Sequence, residues 1–176
     1  MPNLACPSTE LDFLQPSRFK LSIDRLPDVS FFVQSAEIPG VQLNSLESPN
    51  PLSNIMIPDS KLQFNPLNLT FIVDNKLNNW LEVFYWMQGL GFPEDWEQYR
   101  TESRNQRFAD ERMSDLARNY SNATLLLMGL DGSPTQTITF VDCFPTSLGG
   151  IPLDSTSTDV QYSTASLTLA YSYFKI

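Results

Sequence analysis

The sequence predicts a single, mainly β (α+β) domain of antiparallel strands with one amphipathic helix packed against the sheet. The chain has 176 residues, of which 41% are hydrophobic and 18% charged, and this suits one compact core. Several segments alternate apolar and polar residues, which is the period of a half-buried strand. Residues 76–90 instead repeat their apolar side chains at offsets of three and four, as an amphipathic helix does.

The chain begins with a segment that shows no regular period. Residues 1–17 contain three prolines, so we expect an N-terminal arm there and place the domain at 18–176. The domain opens with an alternating strand, and Pro27 and Asp28 then supply a turn into a second strand at 31–38. This pattern predicts a hairpin formed by the first two strands.

A third strand and the helix follow further along the chain. Residues 67–73 alternate as a strand, and Asp74 or Asn75 is placed to cap the helix that comes next. Gly91 is placed to end that helix at 76–90. The stripe expected to face the sheet consists of Leu77, Trp80, Leu81, Phe84, Met87 and Leu90.

The second and third strands are joined by a loop that is long for a compact domain. Residues 42–63 form a connection of about twenty residues, whereas most loops have about four to six. The loop is too apolar for a solvated linker, which favours an arm or extended hairpin buried on something else, such as another subunit. A loop folded back on the chain's own core is the alternative. The candidate contact residues are Leu43, Leu46, Leu52, Ile55, Met56 and Ile57, with Val41 in the same apolar set.

The most charged segment is an insertion at residues 93–122. Its part from 94 to 118 holds seven acidic and five basic side chains. Arg100, Arg104 and Arg107 have the spacing of one helical face. These arginines could contact an anionic partner surface, or they could solvate a surface helix or loop.

The last third of the sequence is rich in strands. Residues 123–130 and 135–144 predict a hairpin around an Asp-Gly turn. Residues 144–150 are expected to be a hinge-like link, and a final strand then places Ala165, Leu167, Leu169, Tyr171 and Tyr173 on one face. No basic residue occurs from 119 to 174, so surfaces built from these strands are neutral to negative.

The composition excludes several classes of function. Twenty acidic and eleven basic residues give a formal charge of −9, which is the wrong sign for gripping nucleic-acid phosphates. The chain contains no histidine, so mechanisms that need an imidazole and the usual zinc sites built on histidine are excluded. No carboxylate pair or glycine-rich phosphate loop stands in a recognisable motif, and we expect no enzyme, cofactor or metal site.

The two cysteines and the lack of long apolar stretches indicate in which cellular compartment the protein is made. Cys143 lies in an apolar run and is expected to be a small buried hydrophobe, with a disulfide to Cys6 or to another subunit as the alternative. No stretch reaches the length of a membrane span, and residues 1–10 do not resemble a secretory signal, so we expect no membrane anchor and a cytoplasmic origin.

Three blocks of residues carry a family resemblance. The last of them combines a Phe-Pro-Thr corner, a Leu-Asp turn and an aromatic-ended strand. The blocks are residues 35–40, residues 64–74, and residues 144–154 together with 159–160 and 167–174. In this combination the chain resembles the tail tube protein family of contractile-tailed bacteriophages, over most of residues 18–92 and 123–176. The secreted tube proteins of type VI systems are similar in fold.

The resemblance implies an antiparallel β-barrel or sandwich with one flanking helix. Six copies would form a ring, and rings would stack into a tube that conducts DNA, with the loop at 42–63 reaching a neighbouring ring. The lumen would be negative, since a wall that repels phosphates lets the genome slide. The acidic lumen candidates are Asp131, Asp142, Asp154 and Asp159.

The resemblance also implies partners and a location. The partners would be copies of the chain, sheath, baseplate and tail-terminator proteins, with genomic DNA passing without specific binding. The location would be the virion tail, assembled in the host cytoplasm. The insertion at 93–122 departs from the family, so Arg100, Arg104 and Arg107 become candidates for facing the sheath.

That departure keeps other functions open. The chain could be a ring of the same fold at the baseplate end, where the tube is initiated. Outside this class, a monomeric protein-binding module and a hydrolase using two carboxylates are the alternatives.

Overall fold

A computed structural model describes residues 13–91, 120–153 and 162–176. These residues form nine strands and two helices. Their order is β1 (Phe19–Ile23), α1 (Pro27–Phe31), β2 (Val33–Ala36), β3 (Val41–Ser48), β4 (Ile55–Phe64), β5 (Leu67–Ile72), α2 (Asn78–Gly91), β6 (Ser121–Met128), β7 (Pro134–Leu148), β8 (Thr164–Ala170) and β9 (Tyr173–Lys175).

Seven of the strands form one antiparallel sheet. Its order is β1-β6-β7-β8-β5-β2, and β9 pairs with β7 beside that path. Strands β3 and β4 form a separate two-stranded sheet. The antiparallel, mainly β class is therefore confirmed. The described strands form no closed barrel, because β1 and β2 stand at opposite ends of the order.

Strand β7 joins the two halves of the seven-stranded sheet. Its first part pairs with β6 and β9, and its last part, from Phe144, pairs with β8. The change of partner occurs beside Asp142, whose φ of 58° is uncommon for a residue with a side chain. The backbone N–H of Ser172 donates to the Val141 carbonyl at 3.0 Å, so the break between β8 and β9 lies opposite this bend. A bend of this kind lets one strand contribute to two differently oriented surfaces.

One hydrophobic cluster holds these elements together. It takes inward-facing residues from β1, β5, β6, β7 and β8, while α1 and α2 add their own apolar residues. The largest fully buried side chains are Trp86, Phe71, Phe140, Leu21, Ile23, Leu26, Leu67, Leu125, Leu167, Leu169, Val29 and Val83. Each such burial stabilises the fold by roughly 1.5–3 kcal/mol before the entropy cost.

Several predicted strands are confirmed, but the N-terminal hairpin is wrong. β1, β5 and the β6–β7 hairpin lie where the pattern placed them, whereas β1 pairs with β6 and β2 pairs with β5. Pro27 begins a short helix in place of a turn, which fits the preference of proline for the first helical turn. The Ser30 hydroxyl donates to the Leu26 carbonyl at 2.7 Å and accepts from the Ile23 N–H at 2.8 Å. These bonds fix α1 against the end of β1.

The predicted hinge at 144–150 is also corrected. Its first five residues continue β7 and pair with β8, with a register shift between Pro145 and Ser147. Proline is tolerated beside such a bulge because the ladder is already interrupted. A Cβ on Gly149 would lie 2.3 Å from the Ser166 hydroxyl, so this glycine permits close approach to β8. The predicted final strand is likewise divided into β8 and β9.

The helix is confirmed, but its start and its buried face differ from the prediction. It begins at Asn78, after Leu77 in a left-handed conformation with φ 59°. Leu77 and Phe84 of the predicted stripe are exposed, whereas Trp80, Met87 and Leu90 are half-buried against the core. The fully buried line is Asn79, Val83, Trp86 and Gly89. Neither helix in the described ranges is long and apolar enough to cross a membrane.

Asn79 explains why the helix is rotated. Its side chain is fully buried, and its amide Nδ2 donates to the Ile72 carbonyl at 2.7 Å. Its Oδ1 accepts from the backbone N–H groups of Asp74 at 3.2 Å and of Trp80 at 2.9 Å. One asparagine therefore joins the end of β5 to the first turn of α2.

We predict that Asn79→Leu destabilises the fold by about 3 kcal/mol, because it leaves buried backbone groups of Ile72, Asp74 and Trp80 unpaired. Urea unfolding followed by circular dichroism measures the change. Asn78→Leu is the matched control, since Asn78 is exposed on the same turn. Equal stabilities of the two variants would contradict the role given to Asn79.

Candidate functional site

The loop predicted at 42–63 is an extended hairpin. Strands β3 and β4 pair with each other in antiparallel register from Val41–Phe64 to Ser48–Ile55. Eight strand residues span about 26 Å at the usual rise per residue. The hairpin interpretation is confirmed, and the alternative of a loop buried on the chain's own core is not what the structure shows.

All of the predicted contact residues of this hairpin are exposed. Their relative exposures run from 47% at Ile57 to 95% at Leu52. Val41 and Leu62 are also about half exposed, and Leu62 was missed because it stands alone among polar residues in the sequence. Exposed apolar patches of this kind are typical of interaction surfaces. The predicted residues that the structure brings together here are Leu43, Leu46, Leu52, Ile55, Met56 and Ile57.

The apolar pairs of the hairpin lie on two different faces. Leu43 pairs with Leu62 near the base, and Leu46 pairs with Ile57 towards the tip. Paired residues share a face, and side chains alternate along each strand. Leu43 and Leu46 are three residues apart, and Ile57 and Leu62 are five apart, so both strands place the two pairs on opposite faces. The register shift between Leu43 and Ser45 separates them.

An aromatic cluster anchors the base of the hairpin to the sheet. Phe64 lies against Tyr171 and Phe174, with ring centroids 6.1 Å and 5.4 Å away, and Phe140 completes the group. The Tyr171 hydroxyl donates to the Asn65 carbonyl at 2.7 Å. Burial raises the pKa of Tyr171 to about 12, so this donor keeps its proton at neutral pH. Tyr171, between β8 and β9, and Phe174 of β9 therefore hold the base of the hairpin in place.

The two end strands of the large sheet have open edges. In the described part of the chain, β1 pairs only with β6, and β2 pairs only with β5. An unpaired edge presents backbone donors and acceptors to any strand that approaches it. Because the six strands of the path alternate in direction, β1 and β2 run antiparallel to each other.

The two acidic candidates that the structure describes, Asp131 and Asp142, do not converge. Asp131 lies in the β6–β7 turn, where the Ser133 hydroxyl and backbone N–H donate to its Oδ1 at 2.7 and 3.0 Å. These bonds, the hydroxyl first, hold the pKa of the Asp131 carboxyl below its usual value. Asp142 is exposed at the bend of β7, about 26 Å further along the strand by its rise per residue. Asp154, Asp159, Arg100, Arg104 and Arg107 lie outside the described residues.

The outward face of the β2–β5–β8 half is polar and almost uncharged. Buried leucines alternate along β5 and β8 with outward hydroxyl and amide side chains. Thr168 donates to the Asn68 amide oxygen at 3.2 Å, and the Asn68 amide donates to Glu37 at 3.5 Å. Glu37 is the charged side chain of this group, whose other members are Ser35, Asn68, Thr70, Ser166 and Thr168. This face therefore presents no lysine or arginine in the part of the chain that the structure describes.

The described residues offer little for catalysis. Among them, no cluster of three or more acidic or cysteine side chains could hold a metal ion. A cavity of about 480 Å³ lies at the end of α2, and the described residues that line it include no carboxylate, amine or thiol. Cys143 is a free, fully buried thiol, as predicted, and burial raises its pKa to about 12. A protonated, buried thiol is not a nucleophile.

We predict that Tyr171→Phe loosens the hairpin base and lowers stability by about 1 kcal/mol, because the Asn65 carbonyl loses its donor. Hydrogen exchange of the β3 and β4 amides, compared with those of β6, measures the local effect. Tyr173→Phe is the matched control, because Tyr173 is an exposed tyrosine on β9. Equal exchange in the two variants would contradict the anchoring role of Tyr171.

One curated protein is similar to part of this chain in sequence. The tail tube terminator protein of Enterobacteria phage T4 is 30% identical over 79 residues, which cover 42% of this chain and 45% of the relative. The aligned stretch thus spans less than half of that relative's length.

Solved structures resemble the whole chain. The tube-terminating cap of the anti-feeding prophage superimposes with a TM-score of 0.62 at 16% identity, over 99% of this chain and 97% of that one. A chain of the PVC sheath–tube complex, from an extracellular contractile injection system in the extended state, superimposes with a TM-score of 0.57 at 18% identity. The match covers 93% of this chain and 90% of that one. A chain of the PVC sheath/tube terminator superimposes with a TM-score of 0.56 at 16% identity, and the match covers 94% of this chain and 98% of that one. At these identities the likeness concerns the fold.

A family model described as phage tail tube protein matches residues 6–176. With nearly the whole length matched and an exposed apolar hairpin on a sheet with two open edges, this chain belongs to the phage tail tube protein family.

Proposed function

We propose that the chain is a structural subunit that joins copies of itself into rings of a contractile-type tail tube, six copies to a ring. The observation that carries the proposal is the β3–β4 hairpin, whose apolar side chains are exposed along its length. The hairpin is the surface through which one ring stacks on the next. The subunit has no chemistry of its own.

The energetics of the hairpin favour a permanent partner. Burying apolar surface stabilises by about 25 cal/mol per Å², and seven of the hairpin's leucine, isoleucine and valine side chains are exposed. Monomeric proteins rarely expose apolar patches larger than a few hundred Å². A subunit made in many copies finds this partner in the next copy.

The sheet edges supply the contact within a ring. Rotation about an axis along the strands keeps strand direction, so β1 of one copy can pair antiparallel with β2 of the next. Such a contact is heterologous, and it closes into a ring at the copy number that the rotation allows. Pairing also removes two edges that would otherwise promote aggregation.

The channel wall of the ring is neutral to acidic. A wall that attracted phosphates would hold DNA, whereas a repelling wall lets it slide without specific binding. Asp131 and Asp142 are the candidates among the described residues, and Asp154 and Asp159 remain candidates beyond them. The nearly uncharged β2–β5–β8 face meets the same requirement.

The same assignment gives the subunit its neighbours and location. Sheath, baseplate and terminator proteins are the partners of a tube, and Arg100, Arg104 and Arg107 remain the candidates for the sheath-facing surface. The protein belongs to the virion tail, and we place its assembly in the host cytoplasm.

A ring at one end of the tube is the second candidate. The sequence match to the T4 tail tube terminator favours this position over a ring at the baseplate end. Body subunits stack on both faces and grow into long tubes, whereas an end ring stacks on one face only. Electron microscopy of the purified chain distinguishes the two candidates. Long tubes would indicate a subunit of the tube body, and single rings would indicate a subunit of an end ring.

We predict that replacing residues 46–57 by an Asn-Gly turn leaves the domain folded and able to form rings, but unable to stack. The change removes the tip and keeps the anchored base. Circular dichroism verifies that the domain is folded, sedimentation velocity detects rings, and negative-stain microscopy detects tubes. Asn54→Ala is the control in the same tip, because it removes only a polar contact to Glu47. Tubes grown by the shortened chain would contradict the stacking assignment.

We predict that Asp142→Lys combined with Asp131→Lys lowers phage infectivity through slower DNA passage, while tails of normal length still assemble. The lysines would attract phosphates, and added salt should partly restore passage in vitro. Asp28→Lys is the control for each substitution taken singly, since it makes the charge change of one Asp→Lys replacement at an exposed site on α1. Normal infectivity of the double variant would remove both acids from the lumen.

A further inference from the structure

We propose that the turn between β6 and β7 protects Asp131 from conversion to isoaspartate, and that the hydroxyl of Ser133 provides part of this protection. Asp131 is followed by Gly132, and the sequence contains no other aspartate or asparagine that is followed by glycine. This dipeptide favours isoaspartate formation, because glycine has no side chain that hinders the attacking nitrogen. The turn is therefore a modification site whose reaction the folded structure suppresses.

The reaction needs only the chain itself and water. The backbone nitrogen of Gly132 attacks Cγ of Asp131, which forms an N–Cγ bond and breaks a Cγ–O bond. The amide proton and the carboxyl OH leave together as water, and a succinimide ring remains. Water then opens the ring at Cγ, which restores aspartate, or at the backbone carbonyl carbon, which produces isoaspartate. The attack therefore requires a nitrogen placed against Cγ and a carboxyl that carries a proton.

The attacking nitrogen is held by the backbone of the turn. The N–H of Gly132 donates to the Gly129 carbonyl at 3.1 Å, and the Gly129 N–H donates to the Ser133 carbonyl at 2.9 Å. Nη1 of Arg18 donates to the same Gly129 carbonyl at 3.0 Å. Gly132 has a φ of 79°, which glycine adopts without strain. An attack on Asp131 would have to break the bond from Gly132 to Gly129.

The carboxyl of Asp131 is held in its ionised form. Its Oδ1 accepts hydrogen bonds from the Ser133 hydroxyl at 2.7 Å and from the Ser133 backbone N–H at 3.0 Å. Such donors favour a charged carboxylate over the neutral acid. The hydroxyl is the largest cause of the lowered pKa of Asp131, and the charge of Arg18 acts in the same direction. At neutral pH the carboxyl therefore lacks the proton with which OH would leave.

Another aspartate of the chain shows a different arrangement. Asp59 precedes Ser60 in β4, and the N–H of Ser60 itself donates to Oδ1 of Asp59 at 2.7 Å. There the nitrogen that would attack already lies beside the carboxyl. At Asp131 both bonds to Oδ1 come from Ser133, which lies one residue beyond the attacking nitrogen. The turn thus binds the carboxyl through a residue that cannot take part in ring formation.

Conversion would change the backbone at the end of a strand pairing. Isoaspartate keeps one carboxylate, so the charge of the turn stays the same. It adds one methylene group to the main chain between Met128 and Pro134, which form the last pair of β6 and β7 before the turn. The longer chain could not keep the same hydrogen bonds in this turn.

The test measures isoaspartate in the full-length chain incubated at neutral pH. Asp-N endoprotease cleaves before aspartate but not before isoaspartate, so digestion followed by mass spectrometry distinguishes the two forms at residue 131. Ser133→Ala removes the hydroxyl, and Ser133→Thr is the matched control because it keeps one. The unmodified chain in guanidinium chloride gives the rate without the turn, and circular dichroism verifies that the other samples are folded.

We expect the folded chain to form isoaspartate at least about tenfold more slowly than the unfolded chain. Ser133→Ala should raise the folded rate by roughly threefold to tenfold, because the ionised carboxyl loses a hydrogen bond. Ser133→Thr should leave the rate unchanged. Equal rates in the folded and unfolded chains would overturn the protection, and an unchanged rate in Ser133→Ala would overturn the role of its hydroxyl.

Asp131→Asn tests the two requirements separately. An asparagine loses ammonia when the ring forms and needs no carboxyl proton, so only the placement of the Gly132 nitrogen restrains it. The folded variant should therefore form succinimide more slowly than the same variant in guanidinium chloride, by a smaller factor than the aspartate does. An equal factor for both residues would show that ionisation of Asp131 contributes nothing, and would overturn that part of the proposal.

Discussion

The constraint on which this structure depends is that the other described residues do not cover the β3–β4 hairpin. Its leucine, isoleucine and valine side chains stay exposed along about 26 Å of ribbon. The seven-stranded sheet already has a complete core, with the inward faces of β5 and β8 fully buried. The hairpin therefore adds little cover to the described core, and the proposed contacts between copies would account for its apolar residues. A protein that functioned as an isolated monomer would carry this surface only as an aggregation liability.

The bend of β7 gives the hairpin a firm base. At Asp142 the strand changes partners, so the Phe140 ring meets Tyr171 and Phe174 where β8 gives way to β9. Phe64 then packs on the same group and joins the end of β4 to the last strand of the chain. These ring contacts and the Tyr171 hydrogen bond to Asn65 connect the base of the hairpin to the sheet that carries β1 and β2. In the proposed assembly, stacking and ring closure would therefore both depend on this connection.

The sequence predicted the parts of the fold that local periodicity determines. β1, β5 and the β6–β7 hairpin follow from alternation and turn residues, and the extended hairpin follows from the length and apolar content of residues 42–63. The family resemblance is confirmed by a match over residues 6–176. The errors arose where tertiary contacts override local signals. Pro27 reads equally as a turn or as a helix start, and only the bonds of Ser30 decide between them. The rotation of α2 depends on the buried Asn79, which no hydrophobic stripe could reveal. The two faces of the hairpin required the register, because a shift of one residue would reverse them.

The distribution of charge on the subunit is consistent with the proposed assembly into a tube. A tube must hold its own subunits together firmly while it leaves its cargo unbound. These two requirements are met by different kinds of side chain on different surfaces. In the proposed assembly, apolar side chains and backbone edges would make the contacts between copies, where charge would be costly. Hydroxyl, amide and carboxylate groups occupy the outward face of β2, β5 and β8, where Glu37 is the charged member. Six copies of such a face would repel phosphates weakly and evenly, which favours passage over binding.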